Sequence, residues 1–373
     1  MRFASSHTKA IDFSNESLGS LYNRVPVRPL TDHDRIVVFS DLHMGNGSRS
    51  DDFVYNAEMF RHVLNRYYAP RSYHLILNGD VEDLQRYPMR KIVRRWPGIY
   101  DAFAEMAGSG GLTRIVGNHD LELLEGGPGV SALALYGQQE WPDIFISPIE
   151  EGLRLQHQSG ELFVFHGHQT SRRYEKHNKK IRLAIRYLAR PLFIGSPTVA
   201  ANSKKQFRIE RRSYQFATTR KILAIIGHTH RPLFESMSKN DSIQFEIERL
   251  CREYPGSSTQ EKIKQRIDIL KEELEALNTE MLEDSDSSSL YQEYLLVPSL
   301  FNSGGVLGKR GMTNLEIEDG KIRLVYWYDE SIKDKRLQYR MGERERLGDT
   351  SFCRMVIDEE NLDYVFSRIR LLA

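Results

Sequence analysis

The chain has 373 residues, 40% of them hydrophobic, enough to bury a substantial core in one decorated domain or in two smaller ones. Its 52 basic and 51 acidic residues leave a formal net charge of +1, so overall charge makes no case for nucleic acid as the partner. Only Cys251 and Cys353 are present, which argues for neither a disulfide framework nor a thiolate metal site.

Residues 1–30 carry no strong periodicity, and the polar stretch 1–16 lacks an apolar signal core. No later stretch is long enough to cross a bilayer, so a cytoplasmic protein is expected. Residues 35–40, 73–77, 112–116, 162–165 and 222–226 are short runs rich in β-branched and aromatic residues, the pattern of buried strands. Each run ends in a polar or glycine-containing turn. These turns carry Asp41-Leu42-His43, Gly79-Asp80-Val81-Glu82-Asp83, Gly117-Asn118-His119-Asp120, His166-Gly167 and Gly227-His228-Thr229-His230. In a layered α/β fold, loops beyond the strand ends gather on one rim, where distant carboxylates and imidazoles can meet.

Between residues 171 and 221 there are fifteen Lys or Arg against two acids, Glu175 and Glu210. Ile181, Ile185 and Leu188 keep helical spacing beside Lys179, Lys180, Arg182, Arg186 and Arg190. This reads either as a basic amphipathic cap over an anionic substrate or as a solvated helix packed on the core. Arg172 and Arg173, close after His166, are candidate phosphate contacts or ordinary surface charges.

Ile243, Ile247, Leu250 and Tyr254, then Ile263, Ile267, Leu270, Leu274, Leu277 and Met281, predict two helices joined at Pro255-Gly256, the second opened by Ser258 with Glu261. The stripe suits an antiparallel hairpin or a homodimer contact through 241–283. The acidic, serine-rich run 283–289 reads as a flexible exit, and a strand resumes at 294–297. Residues 311–328 predict a β-hairpin turning at Glu318-Asp319-Gly320-Lys321. The segment 330–347 is charge-dense, and 359–372 predicts a terminal helix with Leu362, Val365 and Ile369 on one side.

Imidazole and carboxylate without thiolate suit Mn, Fe, Zn, Ni or Co, and two such ions about 3.5–4 Å apart can activate hydroxide and clamp a phosphoryl group. A carboxylate such as Asp80 can bridge both. Glycine directly before a ligand, as at Gly79 and Gly117, permits a sharp exit from the strand.

Taken in order, the five blocks resemble those of the calcineurin-like metallophosphoesterases over residues 35–232, with a closing strand region near 294–328. The resemblance implies an α/β fold of four layers, a β-sandwich flanked by helices, here with a basic helical cap and an inserted helical hairpin. With the segments read above, the expected organisation is a single decorated domain over 1–373, with a core at about 31–237 and 291–330, the cap at 171–221, the hairpin at 238–290 and a C-terminal extension at 331–373. It further implies that Asp41, His43, Asp80 and His230 hold one divalent ion, and that Asp80, Asn118, His166 and His228 hold the other. His168 stands beside His166, and the resemblance selects His166. His119 matches the outer histidine that stabilises the transition state or protonates the leaving oxygen, and Asp83 the carboxylate that orients it. The expected reaction is in-line attack on phosphorus by a metal-bridging hydroxide, with manganese the first choice of metal and Fe, Zn, Ni, Co or Mg compatible.

The segment Phe301-Asn302-Ser303-Gly304-Gly305 resembles the Asn/Gly-rich loop that follows the last histidine block in this family. The basic segment and Gly227-His228-Thr229-His230-Arg231-Pro232 resemble the UDP-diacylglucosamine hydrolase branch, implying a lipid-linked nucleotide. His119, where that branch commonly has Arg, and the hairpin depart from it. A soluble nucleotide, a phosphoprotein or a nucleic-acid phosphodiester therefore stays open, as does a non-catalytic scaffold of the same fold.

Overall fold

The structure is a computed structural model that describes residues 2–124, 149–171, 203–237, 239–257, 259–283, 296–309, 311–332 and 344–373. Arg172 and Arg173, with the helical spacing read at 179–190, lie outside the described residues, as do the Ser258 cap and the run 284–289.

Helix α1 (Arg2–Arg24) leads into β1 (Val27–Pro29) and β2 (Ile36–Phe39). Then come α2 (Ala57–Val63), β3 (His74–Asn78), α3 (Met89–Arg95), α4 (Pro97–Ser109), β4 (Leu112–Ile115) and β5 (Ile149–Glu150). Strands β6 (Gly152–His157) and β7 (Gly160–Phe165) precede α5 (Ser203–Arg220) and β8 (Leu223–Ile226). The helices α6 (Lys239–Glu253) and α7 (Gln260–Glu283) are followed by β9 (Leu300–Asn302), β10 (Met312–Glu318) and β11 (Lys321–Asp329). The chain closes with β12 (Arg344–Arg346), β13 (Phe352–Asn361) and α8 (Leu362–Leu372).

These strands form two sheets, one ordered β1-β6-β7-β8-β9 and the other β12-β13-β11-β10-β2-β3-β4-β5. Within them β2, β3, β4 and β5 run parallel, as do β7, β8 and β9. The sequence builds this by putting apolar residues on both faces of each central strand. Ile36 and Val38 of β2 and Ile76 of β3 turn into a core shared with Leu153, Val164 and Leu223 of the other sheet, whereas Val37, Phe39, Leu75 and Leu77 pack under Phe60 and Phe103 of α2 and α4. On the outer face of the five-stranded sheet, the Tyr22 ring of α1 meets Phe163 edge-on at 5.4 Å, and Phe216 of α5 packs beside it. The result is the expected mixed α/β arrangement of two packed sheets with helices outside.

Several predicted elements recur closely. In the β10–β11 turn, Asp319 and Gly320 take positive φ values of 53° and 68°, the geometry a two-residue hairpin requires. Helix α8 begins where the Asn361 side chain accepts from the Asp363 amide at 2.8 Å, and it buries Leu362, Val365, Phe366 and Ile369. Helices α6 and α7 pair with each other, burying Ile243, Leu250, Ile263 and Leu270 in a small core of their own, flanked by the Arg266–Glu246 ion pair at 2.9 Å. Tyr254, at the turn end of the stripe, is exposed, and the side chains of Leu277 and Met281 lie outside the described residues.

Two features were not visible in the sequence. Residues 2–24 form α1, in which Leu18 and Leu21 are buried among the side chains described from residue 13 onward. Strand β13 pairs antiparallel along the whole of β11, from Lys321 opposite Asn361 to Asp329 opposite Phe352, with an irregularity at Leu324/Val325. Its alternation is weak because it lies near the sheet edge, where one face is only partly covered.

Candidate metal centre

Strands β2, β3, β4, β7 and β8 all end on the same rim, and the loops leaving them interlock through backbone bonds. The Asp41 amide donates to the Gly79 carbonyl (3.0 Å), that of His43 to Asp80 (2.9 Å) and that of Gly227 to His166 (3.0 Å). Carboxylates complete the mesh: Asp41 Oδ2 accepts from the His228 amide at 2.9 Å, and Asp80 Oδ1 from the His119 amide at 2.8 Å.

Asp41, His43, Asp80, His228 and His230 all adopt left-handed backbone conformations, with φ between 47° and 65°. They are half of the ten non-glycine residues that do so among those described. Each such residue costs about 1–3 kcal/mol, and strain of this kind concentrates at functional sites. Gly79 has φ +86°, as its expected role requires. Gly117 does not; there a Cβ would strike the Asp80 carboxylate, so close approach rather than φ demands glycine.

The side chains converge in three overlapping groups, of which His43, Asp80 and His119 form the middle one. On one side Asp41 Oδ1 lies 3.1 Å from His230 Nε2 and 3.7 Å from His43 Nε2, and the two imidazole Nε2 atoms are 3.1 Å apart. On the other side Asp80, His166 and His228 bring donor atoms within 4.8 Å of one another. Asp80 joins the groups, its Oδ2 being 3.6 Å from His43 Nε2 and 3.2 Å from His166 Nε2. The His166 Nδ1–H donates to the Asn78 carbonyl (2.8 Å), which turns Nε2 toward the carboxylates. His168 is buried behind, its ring 5.5 Å from that of His166, and it joins none of the donor groups.

Fit to cations is testable on buried polar atoms. Asp41 Oδ1, Asn118 Oδ1 and His166 Nε2 are buried and make no hydrogen bond of acceptable geometry. Buried acceptors are rarely left so, and a positive ion would satisfy all three. Electrostatics agree. Burial would raise the Asp41 and Asp80 carboxyls, yet surrounding imidazoles, His230 and His166 for Asp41 and His166 and His119 for Asp80, hold both well below the usual range. Burial disfavours a charged His166, but Asp80 and Asp41 push it up to about 10. Two buried carboxylates thus demand positive charge, which protons supply when cations do not. His168, by contrast, is pushed down to about 3 by burial and by His166.

His119 stands beside this cluster with its ring edge-on to His43 at 4.5 Å. Its Nδ1–H donates to Asp83 Oδ1 at 2.8 Å, and Arg86 approaches Asp83 Oδ2 at 3.6 Å. Against the cost of burial, Asp80 and Asp83 raise the imidazole to about 9.

Sequence reasoning overlooked the groups behind the site. Asp120 clamps both metal-facing loops, accepting from the Gly117 amide (2.6 Å) and the Val81 amide (2.8 Å). Glu82 pairs with the buried Arg114 and accepts from Tyr100 Oη at 2.9 Å. Glu210, counted in the sequence as a charge of the basic segment, is buried. It accepts from Thr229 Oγ1 (2.8 Å) and Arg231 Nε (3.1 Å), fixing the loop that carries His228 and His230. Its rarity amid so many cations was the available signal.

A family model for calcineurin-like phosphoesterases matches residues 34–232, more than half of the chain. The chain belongs to the calcineurin-like phosphoesterases. The matched span of this phosphoesterase runs through every loop of the rim from Asp41 to His230. Its family is one of metal-dependent phosphoesterases, and its three overlapping donor groups could hold divalent ions. Among solved structures it is similar to a dimetal phosphatase from Danio rerio, at 8% identity and a TM-score of 0.34, covering 78% of this chain and 95% of that one. No curated protein matches the phosphoesterase significantly.

Proposed function

We propose that the protein is a dinuclear hydrolase that cleaves a phosphate ester or phosphoanhydride bond. The observation that carries this reading is Asp80 Oδ2, poised between His43 Nε2 at 3.6 Å and His166 Nε2 at 3.2 Å. In this reading Asp41, His43, Asp80 and His230 hold one cation, and Asp80, Asn118, His166 and His228 the other. When bound, the two ions supply Lewis acidity, activating water for in-line attack and offsetting charge on the phosphoryl oxygens. An N/O donor set without thiolate favours Mn, with Fe, Zn, Ni, Co or Mg compatible.

The protein's own groups orient and exchange protons. Asp83 accepts from His119 Nδ1–H and so orients the ring, leaving Nε2 as the atom free to meet the substrate, while the Asp80 and Asp83 carboxylates favour the protonated imidazole. It can stabilise the developing charge or give its proton to the leaving oxygen. Mutual bonding of the loops fixes the backbone that carries the donors, so the fold itself orients them.

A phosphorylated anion is the substrate class, a nucleotide or lipid-linked nucleotide being the reading that the resemblance to the UDP-diacylglucosamine hydrolase branch supports, with Arg172 and Arg173 as candidate contacts. Among the described residues no helix is long and apolar enough to cross a membrane. We take the protein as a single decorated domain acting in the cytoplasm.

The test is to load the purified protein with Mn and assay monoesters, diesters, nucleotide pyrophosphates and single-stranded DNA. Asp80→Ala and His228→Ala should abolish turnover of every substrate the wild type accepts and lower bound metal. Full activity in either variant would rule the site out, and preference for single-stranded DNA with steep salt dependence would make the enzyme a nuclease.

A further inference from the structure

At the end of the strands opposite the metal rim, Ile36 of β2 and His74 of β3 border a cleft of about 390 Å³. Five residues of extended chain separate Ile36 from Asp41, about 17 Å, so the two sites do not share residues. The cleft lies at the seam of the sandwich, since β1 and β6 contribute Arg28, Leu153 and Leu155 from one sheet while β2 and β3 contribute Ile36, His74 and Ile76 from the other.

Its rim is cationic. Arg28, Arg35 and Arg71 line it with a single carboxylate, Asp34, which is turned back on its own loop by the Thr31 amide (2.7 Å) and Thr31 Oγ1 (2.8 Å). Arg28 is half-buried and has no carboxylate within ion-pair distance among the described residues; its Nη1 donates to Thr113 Oγ1 at 2.7 Å. The same hydroxyl lies 2.8 Å from His74 Nε2, and burial together with the neighbouring Arg28 lowers the His74 pKa. Arg35 pairs through Nε with Glu318 at 2.8 Å, and Arg71 stacks over Tyr67 at 4.0 Å and approaches Glu345 through Nη2 at 3.7 Å, which leaves Arg28 as the rim guanidinium without a carboxylate among the described residues. Each guanidinium has five donors, so all three keep N–H groups beyond these contacts. The floor, in contrast, is apolar, formed by Ile36, Ile76, Leu153 and Leu155.

We propose that this cleft is a second, non-catalytic binding site for a small phosphorylated molecule with an apolar body, of nucleoside monophosphate size. The guanidinium rim supplies paired N–H donors for the phosphate, and the aliphatic floor takes the body. Its volume falls within the range of small-ligand sites, about 300–1,000 Å³. Because the ligand touches strands of both sheets, binding stabilises the sandwich as a whole.

The experiment uses chelator-treated full-length Asp80→Ala protein, so that the metal rim contributes no cation-dependent phosphate binding. AMP and adenosine are titrated by calorimetry and by thermal melting. We expect AMP to bind and raise the melting temperature, adenosine to bind at least about tenfold more weakly, and Arg28→Gln to weaken AMP by about tenfold or more with its ligand-free melting unchanged. Arg28→Lys should recover part of the affinity, and the His74 ring resonances should shift on AMP addition. Absence of AMP binding at millimolar concentration, or binding that survives Arg28→Gln without perturbing His74, would overturn the proposal. Neither result bears on the metal rim.

Discussion

His119 is the residue whose environment speaks most directly to catalysis. Its Nδ1 is committed to Asp83 at 2.8 Å and its ring abuts His43, yet its backbone amide, rather than its side chain, holds Asp80. Replacing it by alanine should therefore leave the cation-facing atoms where they are. His119→Ala is expected to retain both metals by elemental analysis while turning over about 10²–10⁴ times more slowly; loss of metal would instead make His119 a ligand. Asp120 has the opposite profile, touching no predicted ligand side chain but satisfying two buried amides. Asp120→Ala should destabilise the metal-free protein by roughly 2 kcal/mol or more, measured by denaturant unfolding, because each orphaned buried donor costs about 1–3 kcal/mol. Metal affinity should fall with it, since the clamped loops carry Asp80 and Asn118.

At the scale of elements, the loops after β2, β3, β4, β7 and β8 form one interlocked mesh, and the α6–α7 hairpin is nearly independent of it. The hairpin's apolar cluster comprises Ile243, Leu250, Ile263 and Leu270, with Ile247, Ile267 and Leu274 packed alongside and the Arg266–Glu246 pair at its flank. None of these belongs to the two main cores. Leu250→Ala combined with Leu270→Ala should remove most of the pair's stability, each truncation costing about 2–5 kcal/mol. Circular dichroism should then show a loss of helix at low temperature, while the main unfolding transition and metal content stay as in the wild type. A lowered main transition would mean the hairpin braces the body.

Over the whole molecule, the C-terminal segment is structural. Strand β13 covers β11 along its full length, and α8 inserts Leu362, Val365, Phe366 and Ile369 into the core between the sheets. Truncation after residue 343 would strip both, leaving β11 as a long exposed edge beside an open apolar core. Such a protein is expected to be recovered as aggregate; a soluble, folded truncation would show that the remaining strands suffice.

Much of this architecture was legible because its signals are local. The buried strands announce themselves as unbroken apolar runs, and the turn at Asp319-Gly320 and the α6–α7 stripe follow from residue type and spacing alone. The order of the acid- and histidine-bearing blocks pointed to one rim. Local signals were silent where an element's role comes from distant partners: α1 is held where Tyr22 meets Phe163 of β7, and β13 becomes a strand because β11 offers a free edge.

The sequence by itself therefore determined which residue types were available to bind cations and that they follow strands. Only the tertiary structure brings Asp80 Oδ2 within 3.2 Å of His166 Nε2 rather than His168, and assigns Glu210 to a buried anchor rather than to a charged surface. The reason is physical. Side-chain identity is carried along the chain, but proximity, burial and the direction a ring nitrogen faces are set by strands from two sheets meeting across hundreds of residues.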